Sequence, residues 1–111
     1  MSGEPVAPQR WSYAELELRF ARGHERPTRI RWSPPDASQR ATAGMPADPD
    51  PLAAMLLRLG GTVPADGVEV LEVDLLGAIG ERGWRLVATR NQEAGSGEAR
   101  SLLFLRPADA G

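Results

Sequence analysis

Neither cysteine nor lysine occurs anywhere in the 111 residues. Without cysteine there is no disulfide, no thiolate nucleophile and no thiolate metal site. Without lysine there is no Schiff base and no amine nucleophile. All thirteen basic side chains are therefore arginine, and the abundance of Arg, Ala, Gly and Pro fits a GC-rich genome. Histidine occurs once, at His24, and aromatic residues make up only 5%. No segment approaches the roughly 18 apolar residues that span a bilayer, so no membrane segment is expected. Met1 to Arg10 has no apolar run and does not read as a signal peptide. With no cysteine, a cytoplasmic location is the expectation.

What remains describes an ordinary globular chain. Its 41% apolar and 25% charged residues, over this length, suit one domain with a single core. The net charge of −2 gives no bulk steering toward nucleic acid or an anionic membrane. The charge is uneven: residues 1–45 hold seven arginines against five acids, and residues 46–111 hold six against ten.

Residues 1–10 read as a flexible tail, residues 11–107 as one domain and residues 108–111 as a second tail. From Trp11 to Phe20 the pattern alternates, with Ala14, Leu16, Leu18 and Phe20 on one face and Trp11, Tyr13, Glu15, Glu17 and Arg19 on the other. That period of two predicts a half-buried strand. A polar turn from Ala21 to Pro27 leads to a second alternation from Thr28 to Ser33, so a β-hairpin is expected. Residues 34–51 carry prolines at 34, 35, 46, 49 and 51 and few large apolar side chains, and read as a Pro-rich mobile loop.

Asp50-Pro51 then predicts a helix start, with Asp at the N-cap and Pro in the first turn. Leu52, Met55, Leu56 and Leu59 form its apolar stripe, and Gly60-Gly61 ends it. Asp66 and Glu69 have capping-box spacing, which favours a second helix from about Gly67 to Arg82. A rival reading makes residues 68–73 a strand and starts the helix at Asp74. Gly77 and Gly80 are costly inside a helix, and close approach to a sheet would explain them.

Leu75 to Pro107 reads as a helix–turn–hairpin unit hinged on Gly83-Trp84. Gly83 takes the left-handed conformation and Trp84 folds back onto the last helical turn. Trp84, Leu86 and Ala88 are expected inward, opposite Arg85, Val87 and Thr89. Asn91 to Ala99 is polar and reads as a flexible loop before a last strand, Ser101 to Arg106. In that strand Leu102 and Phe104 oppose Leu103 and Leu105. The resulting fold class is α+β: a single antiparallel sheet of about four strands, with two helices on one face, in the order β-β-α-α-β-β.

The run Leu75-Leu76-Gly77-Ala78-Ile79-Gly80-Glu81-Arg82-Gly83-Trp84-Arg85-Leu86-Val87, with Leu103-Phe104-Leu105-Arg106-Pro107, resembles a bacterial family of small domains of unknown function. Their helix ends in Gly-Trp-Glu-Leu-Val and their last strand in Phe-Lys-Arg-Pro. Trp11 to Phe20 could match the family's opening strand. The resemblance covers about a third of the chain. Arg85 replaces the family's usual acid, and residues 21–66 are a large insertion. The resemblance implies a fold and no chemistry.

Candidate chemistry is sparse. His24 lies in a polar turn beside Glu25, where sequence neighbours rarely face each other as an acid–base pair requires. Asp48 and Asp50 sit close together, but in a Pro-rich stretch without a calcium-loop register. Neither glycine cluster precedes a helix with Gly-Lys-Ser/Thr, so no phosphate loop is present. No catalytic residue, metal site or cofactor is expected. Arg19, Arg22, Arg26, Arg29 and Arg31 cluster around the first hairpin. Of these, Arg19, Arg29 and Arg31 are candidates for binding an anionic small ligand or nucleic acid, unless Glu15, Glu17 and Glu25 neutralise them. If both helices cover the face bearing Leu16, Leu18, Phe20, Leu86, Leu102 and Phe104, then Trp11, Tyr13, Val87, Leu103 and Leu105 point outward. Such a patch calls for a cover: a second copy in a homodimer, a protein partner, or the 34–51 loop. The expectation is a non-catalytic interaction or accessory module.

Overall fold

The computed structural model describes residues 10–65, 67–95 and 97–108. The expected tails at 1–9 and 109–111, and the expected cap at Asp66, lie outside the described residues. Arg10 and Ala108, assigned to the tails from sequence, are joined by a backbone hydrogen bond of 2.8 Å that extends the ladder between the first and last strands.

Period-two segments become strands. β1 (Trp11–Ala21) pairs antiparallel with β2 (Arg29–Ser33), with Leu16 opposite Trp32 and Leu18 opposite Ile30. The turn between them bends at Gly23, whose φ is +83°. β2 pairs on its other side with β3 (Ala41–Gly44), which precedes α1 (Pro51–Arg58) and α2 (Glu72–Glu81). β4 (Arg85–Ala94) and β5 (Gly97–Pro107) close the sheet, whose order is β3-β2-β1-β5-β4, antiparallel throughout.

One face of this five-stranded sheet supplies the core. Ala14, Leu16, Leu18, Ile30, Trp32, Ala43, Leu102 and Phe104 are buried in one cluster with Leu52, Met55, Leu56 and Leu59 of α1 and Leu75 and Ile79 of α2. Both helices therefore lie on that inner face. Trp32 is at its centre, meeting Trp84 edge-on at 5.9 Å and Phe104 at 5.7 Å between ring centroids. Such pairs add about 0.5–1.5 kcal/mol each beyond simple burial. Trp84 is buried as expected, and Gly83 has the left-handed φ of +89° that turns α2 into β4.

Five features depart from the expectation. The sheet has five strands, not about four, because β3 forms within the 34–51 segment. Ala41, Thr42 and Ala43 are small, but their backbone pairs with β2, and Ala43, opposite Ile30, is buried in the core. That segment also contains a 3-10 turn at Ala37–Gln39, with Asp36 accepting hydrogen bonds from the backbone and hydroxyl of Ser38.

Second, α2 begins at Glu72, neither at Gly67 nor at Asp74, and residues 68–71 are neither helix nor strand. The Val70 carbonyl, which a longer helix would commit to Asp74, accepts instead from Arg26 at 3.0 Å. The Asp74 carboxylate accepts from the Leu71 amide at 2.8 Å and caps the helix there.

Third, a bulge interrupts β4: Leu86 pairs with Phe104, but Ala88 pairs with Leu103. Val87 is the extra residue, so beyond it the faces exchange, Ala88 turning outward and Thr89 inward. Leu86, expected in the core, is 43% exposed. Fourth, Asn91 to Ala99 is not a loop; β4 and β5 stay paired as far as Ala94 opposite Gly97. Fifth, Gly77 and Gly80 do not make room for the sheet, since a Cβ at either would meet nothing within 4 Å.

Candidate functional site

Among the described residues, no helix lies on the outer face of the sheet. Cross-strand pairing sets Trp11 opposite Pro107, Tyr13 opposite Leu105 and Glu15 opposite Leu103. β4 adds Arg85 beside Leu105 and Ala88 beside Leu103. The result is an apolar area over the β1–β5 pair, at the end where β1 begins. Its exposure is substantial: Trp11 46%, Tyr13 57%, Leu103 36%, with Leu105 half-buried. Val87 is also 46% exposed, but as the unpaired residue of the bulge. Residues 34–44 run along the β2 edge of the sheet and leave this patch uncovered. Leu71, Val73 and Val68 are also exposed, but they belong to the helix layer and its approach.

The first-hairpin arginines sit on the same outer face, beyond the apolar end. Arg19 pairs with Arg29 and Glu17 with Arg31 across β1 and β2. The Glu17 carboxylate lies 2.9 Å from Arg19 and 3.5 Å from Arg31, so one acid serves two guanidinium groups. Arg29 has no ion-pair partner among the described residues. Arg26 leaves the group altogether. Its guanidinium donates to Glu69 at 2.6 Å, to Asp50 at 3.2 Å and to the Val70 carbonyl, tying the hairpin turn to both helix starts.

The remaining candidates are absorbed by structure. Asp50 caps α1 by accepting from the Ala53 amide at 3.3 Å. Asp48 forms a two-pronged pair with Arg58, at 2.9 Å for each prong, and also accepts from the Gly44 amide at 2.9 Å. The Arg58 hydrogen bonds first, and the Gly44 amide second, hold the Asp48 carboxyl below its ordinary value; the same contact raises Arg58. The Asp36 carboxyl is lowered by its two bonds from Ser38, the hydroxyl contributing more than the amide. His24 is exposed on the rim of a cavity of about 520 Å³ between the β1–β2 and β4–β5 turns, with Phe20, Glu93, Glu98 and Arg100 also lining it. Its imidazole has no partner among the described residues. Arg100 is committed there, resting over the Phe20 ring at 5.3 Å and donating to Glu72 at 2.7 Å. Among the described residues no three of His, Asp or Glu are grouped to hold a metal ion.

A second group of arginines emerges only in the folded chain. Arg40 before β3, Arg58 ending α1, Arg82 after α2 and Arg106 near the end of β5 line one open groove on the helix side of the sheet. Arg106 is on the inner face, opposite Ser12, and its guanidinium lies 4.2 Å from the centre of the Trp84 ring. It also donates to the Arg82 carbonyl at 3.0 Å. These four are scattered along the sequence, and no local motif joins them. Comparison with family models, with curated proteins and with solved structures finds no match.

Proposed function

We propose that the protein is a non-catalytic interaction module that pairs with a second copy of itself through the outer face of its sheet. The observation that carries this reading is the joined exposure of Trp11, Tyr13, Leu103 and Leu105 on a sheet face that no element among the described residues covers. Exposed apolar groups gathered on one rigid surface are the usual mark of a docking site. Glu15 and Glu17 stand beside the patch on β1, and Arg85 and Arg90 beside it on β4. A two-fold copy can therefore meet opposite charge at the rim, and two-fold pairing is the commonest way for one patch to cover itself. The absence of cysteine and lysine, and a single exposed histidine, support a role without catalysis.

Anion binding through Arg19, Arg29 and Arg31 is the weaker reading, because Glu17 already engages two of the three. Sedimentation velocity across a wide concentration range tests the dimer. The expected result is a species of twice the 12.0 kDa chain mass that dissociates on dilution. Tyr13→Arg with Leu103→Arg should leave only monomer without unfolding the chain, since both side chains are exposed. A wild-type chain that stays monomeric at the highest concentration would remove the proposal.

A further inference from the structure

We propose that the groove lined by Arg40, Arg58, Arg82 and Arg106 binds a small ligand carrying two or more phosphate groups. The groove has a volume of about 810 Å³, and among the described residues no carboxylate lines it. The four arginines line it from four separate parts of the fold, and among the described residues Asp48, which pairs with Arg58 from outside the lining, is the one acid hydrogen-bonded to any of them, while Asp36 is near enough to Arg40 to feel its charge. Positive charge concentrated this way, in a chain of net charge −2, requires an explanation.

The bland explanation is helix capping. α1 and α2 both end beside the groove, and cations suit helix C-termini. Yet the last carbonyls are already served. Gly61 donates to the Leu56 carbonyl, Arg82 and Trp84 donate through their amides to Ile79, and Arg106 donates to the Arg82 carbonyl. The Arg82 side chain makes no hydrogen bond or ion pair among the described residues, and Arg40 uses only its Nε, toward the Pro34 carbonyl at 3.1 Å. Two exposed, permanently charged guanidinium groups are thus left with terminal donors unused among the described residues, and planar forks of this kind recognise phosphate oxygens in pairs. Arg106, held over the Trp84 ring at 4.2 Å and by its bond to the Arg82 carbonyl, supplies a third donor group at a fixed place.

Several anionic groups, not one, are implied by the number of donors and the volume. A nucleic-acid strand fits less well. Single-strand binding relies on exposed aromatic rings as stacking surfaces, and the ring at this groove, Trp84, is 4% exposed with Arg106 across its face.

Calorimetric titration of the full chain with inorganic pyrophosphate at low ionic strength tests the site. The expected result is saturable one-to-one binding with a dissociation constant below about 1 mM, weakening steeply with added salt. Orthophosphate should bind at least about tenfold more weakly, since it engages fewer forks. Arg82→Gln alone, which disturbs no side-chain bond, and Arg40→Gln with Arg82→Gln should each weaken pyrophosphate, the pair by at least about tenfold. Arg29→Gln with Arg90→Gln, on the outer face, should leave binding within about twofold of wild type. Absence of saturable binding, or equal losses from the outer-face and groove variants, would overturn the proposal. A single-stranded oligonucleotide that binds more tightly than pyrophosphate, and loses that affinity in the groove variants, would overturn it in favour of nucleic acid.

Discussion

The two arginine groups make opposite use of the same side chain. Arg19, Arg29 and Arg31 are close in sequence and share the outer face of adjacent strands, where Glu17 binds two of them at the surface. Arg40, Arg58, Arg82 and Arg106 are far apart in sequence and meet only because two helix ends and two strand ends converge. The first group is a cross-strand ion-pair network of the kind a β-hairpin forms anywhere. The second is held by the core, since Arg106 lies on Trp84, which in turn meets Trp32 at the centre of the molecule. A run of basic residues in sequence is therefore a poor guide to where uncompensated charge collects.

The largest expected effect follows from that dependence on the core. Trp84→Ala should destabilise the protein by about 3–5 kcal/mol, through lost burial and an unfilled cavity. It should also loosen Arg106 and with it the groove, leaving the first hairpin's pairs intact. Urea denaturation followed by the remaining tryptophans measures it. A loss under about 1 kcal/mol would mean that the groove stands on something other than Trp84.

Next in size is Asp48→Asn, which removes the two-pronged partner of Arg58 and the acceptor of the Gly44 amide. The folded carboxyl titrates below its ordinary value of 3.8, chiefly because of Arg58. A depressed folded value means that the stabilisation is fully present above the unfolded value and is lost as pH falls through the folded one. The melting temperature of wild type should thus exceed that of Asp48→Asn by a constant margin from about pH 7 to about pH 5, and the margin should close as the pH drops below about 3.8. A margin unchanged at low pH would show that the Asp48 charge is not what ties the β3 connection to α1.

The same contrast between local and assembled features decides what the sequence reveals. β1, β2 and α1 are legible because each carries its own signal: alternation from Trp11 to Phe20 and from Thr28 to Ser33, and an Asp50-Pro51 start followed by the stripe of Leu52, Met55, Leu56 and Leu59. The inward setting of Trp84, Leu102 and Phe104 is legible for the same reason. β3 is not, because Ala41 to Gly44 has no bulk to alternate and is a strand by virtue of what β2 offers it. The pairing of Asn91 to Ala94 with Gly97 to Arg100 is likewise hidden, as little core lies beneath it to impose an apolar period. The start of α2 is fixed partly by Asp74, which accepts from the Leu71 amide, and partly by Arg26, 46 positions before Glu72, whose bond to the Val70 carbonyl no local rule contains. Of the candidate sites, the apolar patch is readable from strand parity, apart from the Val87 bulge. The arginine groove has no sequence signature at all.

A smaller effect, of opposite sign, separates α2 from both arginine groups. Gly77 lies within that helix with open space where a Cβ would be. Gly77→Ala should stabilise the protein by about 0.5–1 kcal/mol through helix propensity alone. Thermal melts measure it. A destabilised Gly77→Ala would show that the helix packs more tightly there than its open surroundings allow.

The smallest effect tests the comparison most directly. Glu17→Gln removes the carboxylate that, among the described residues, pairs with Arg19 and Arg31, and leaves Arg19, opposite Arg29, without an ion-pair partner. Exposed pairs contribute little, so the expected loss is about 0.5 kcal/mol at low salt. Its origin as repulsion among guanidinium groups predicts a salt dependence. At about 1 M salt the screening length falls to about 3 Å, and the difference between wild type and variant should vanish. Denaturation curves at two salt concentrations decide it. If the loss persists at high salt, Glu17 acts through packing against β2, and the first hairpin is held by contacts as specific as those beneath the groove. If it vanishes, the hairpin pairs act by charge alone, with Glu17 doing for Arg19 and Arg31 what Asp48 does for Arg58 at the groove.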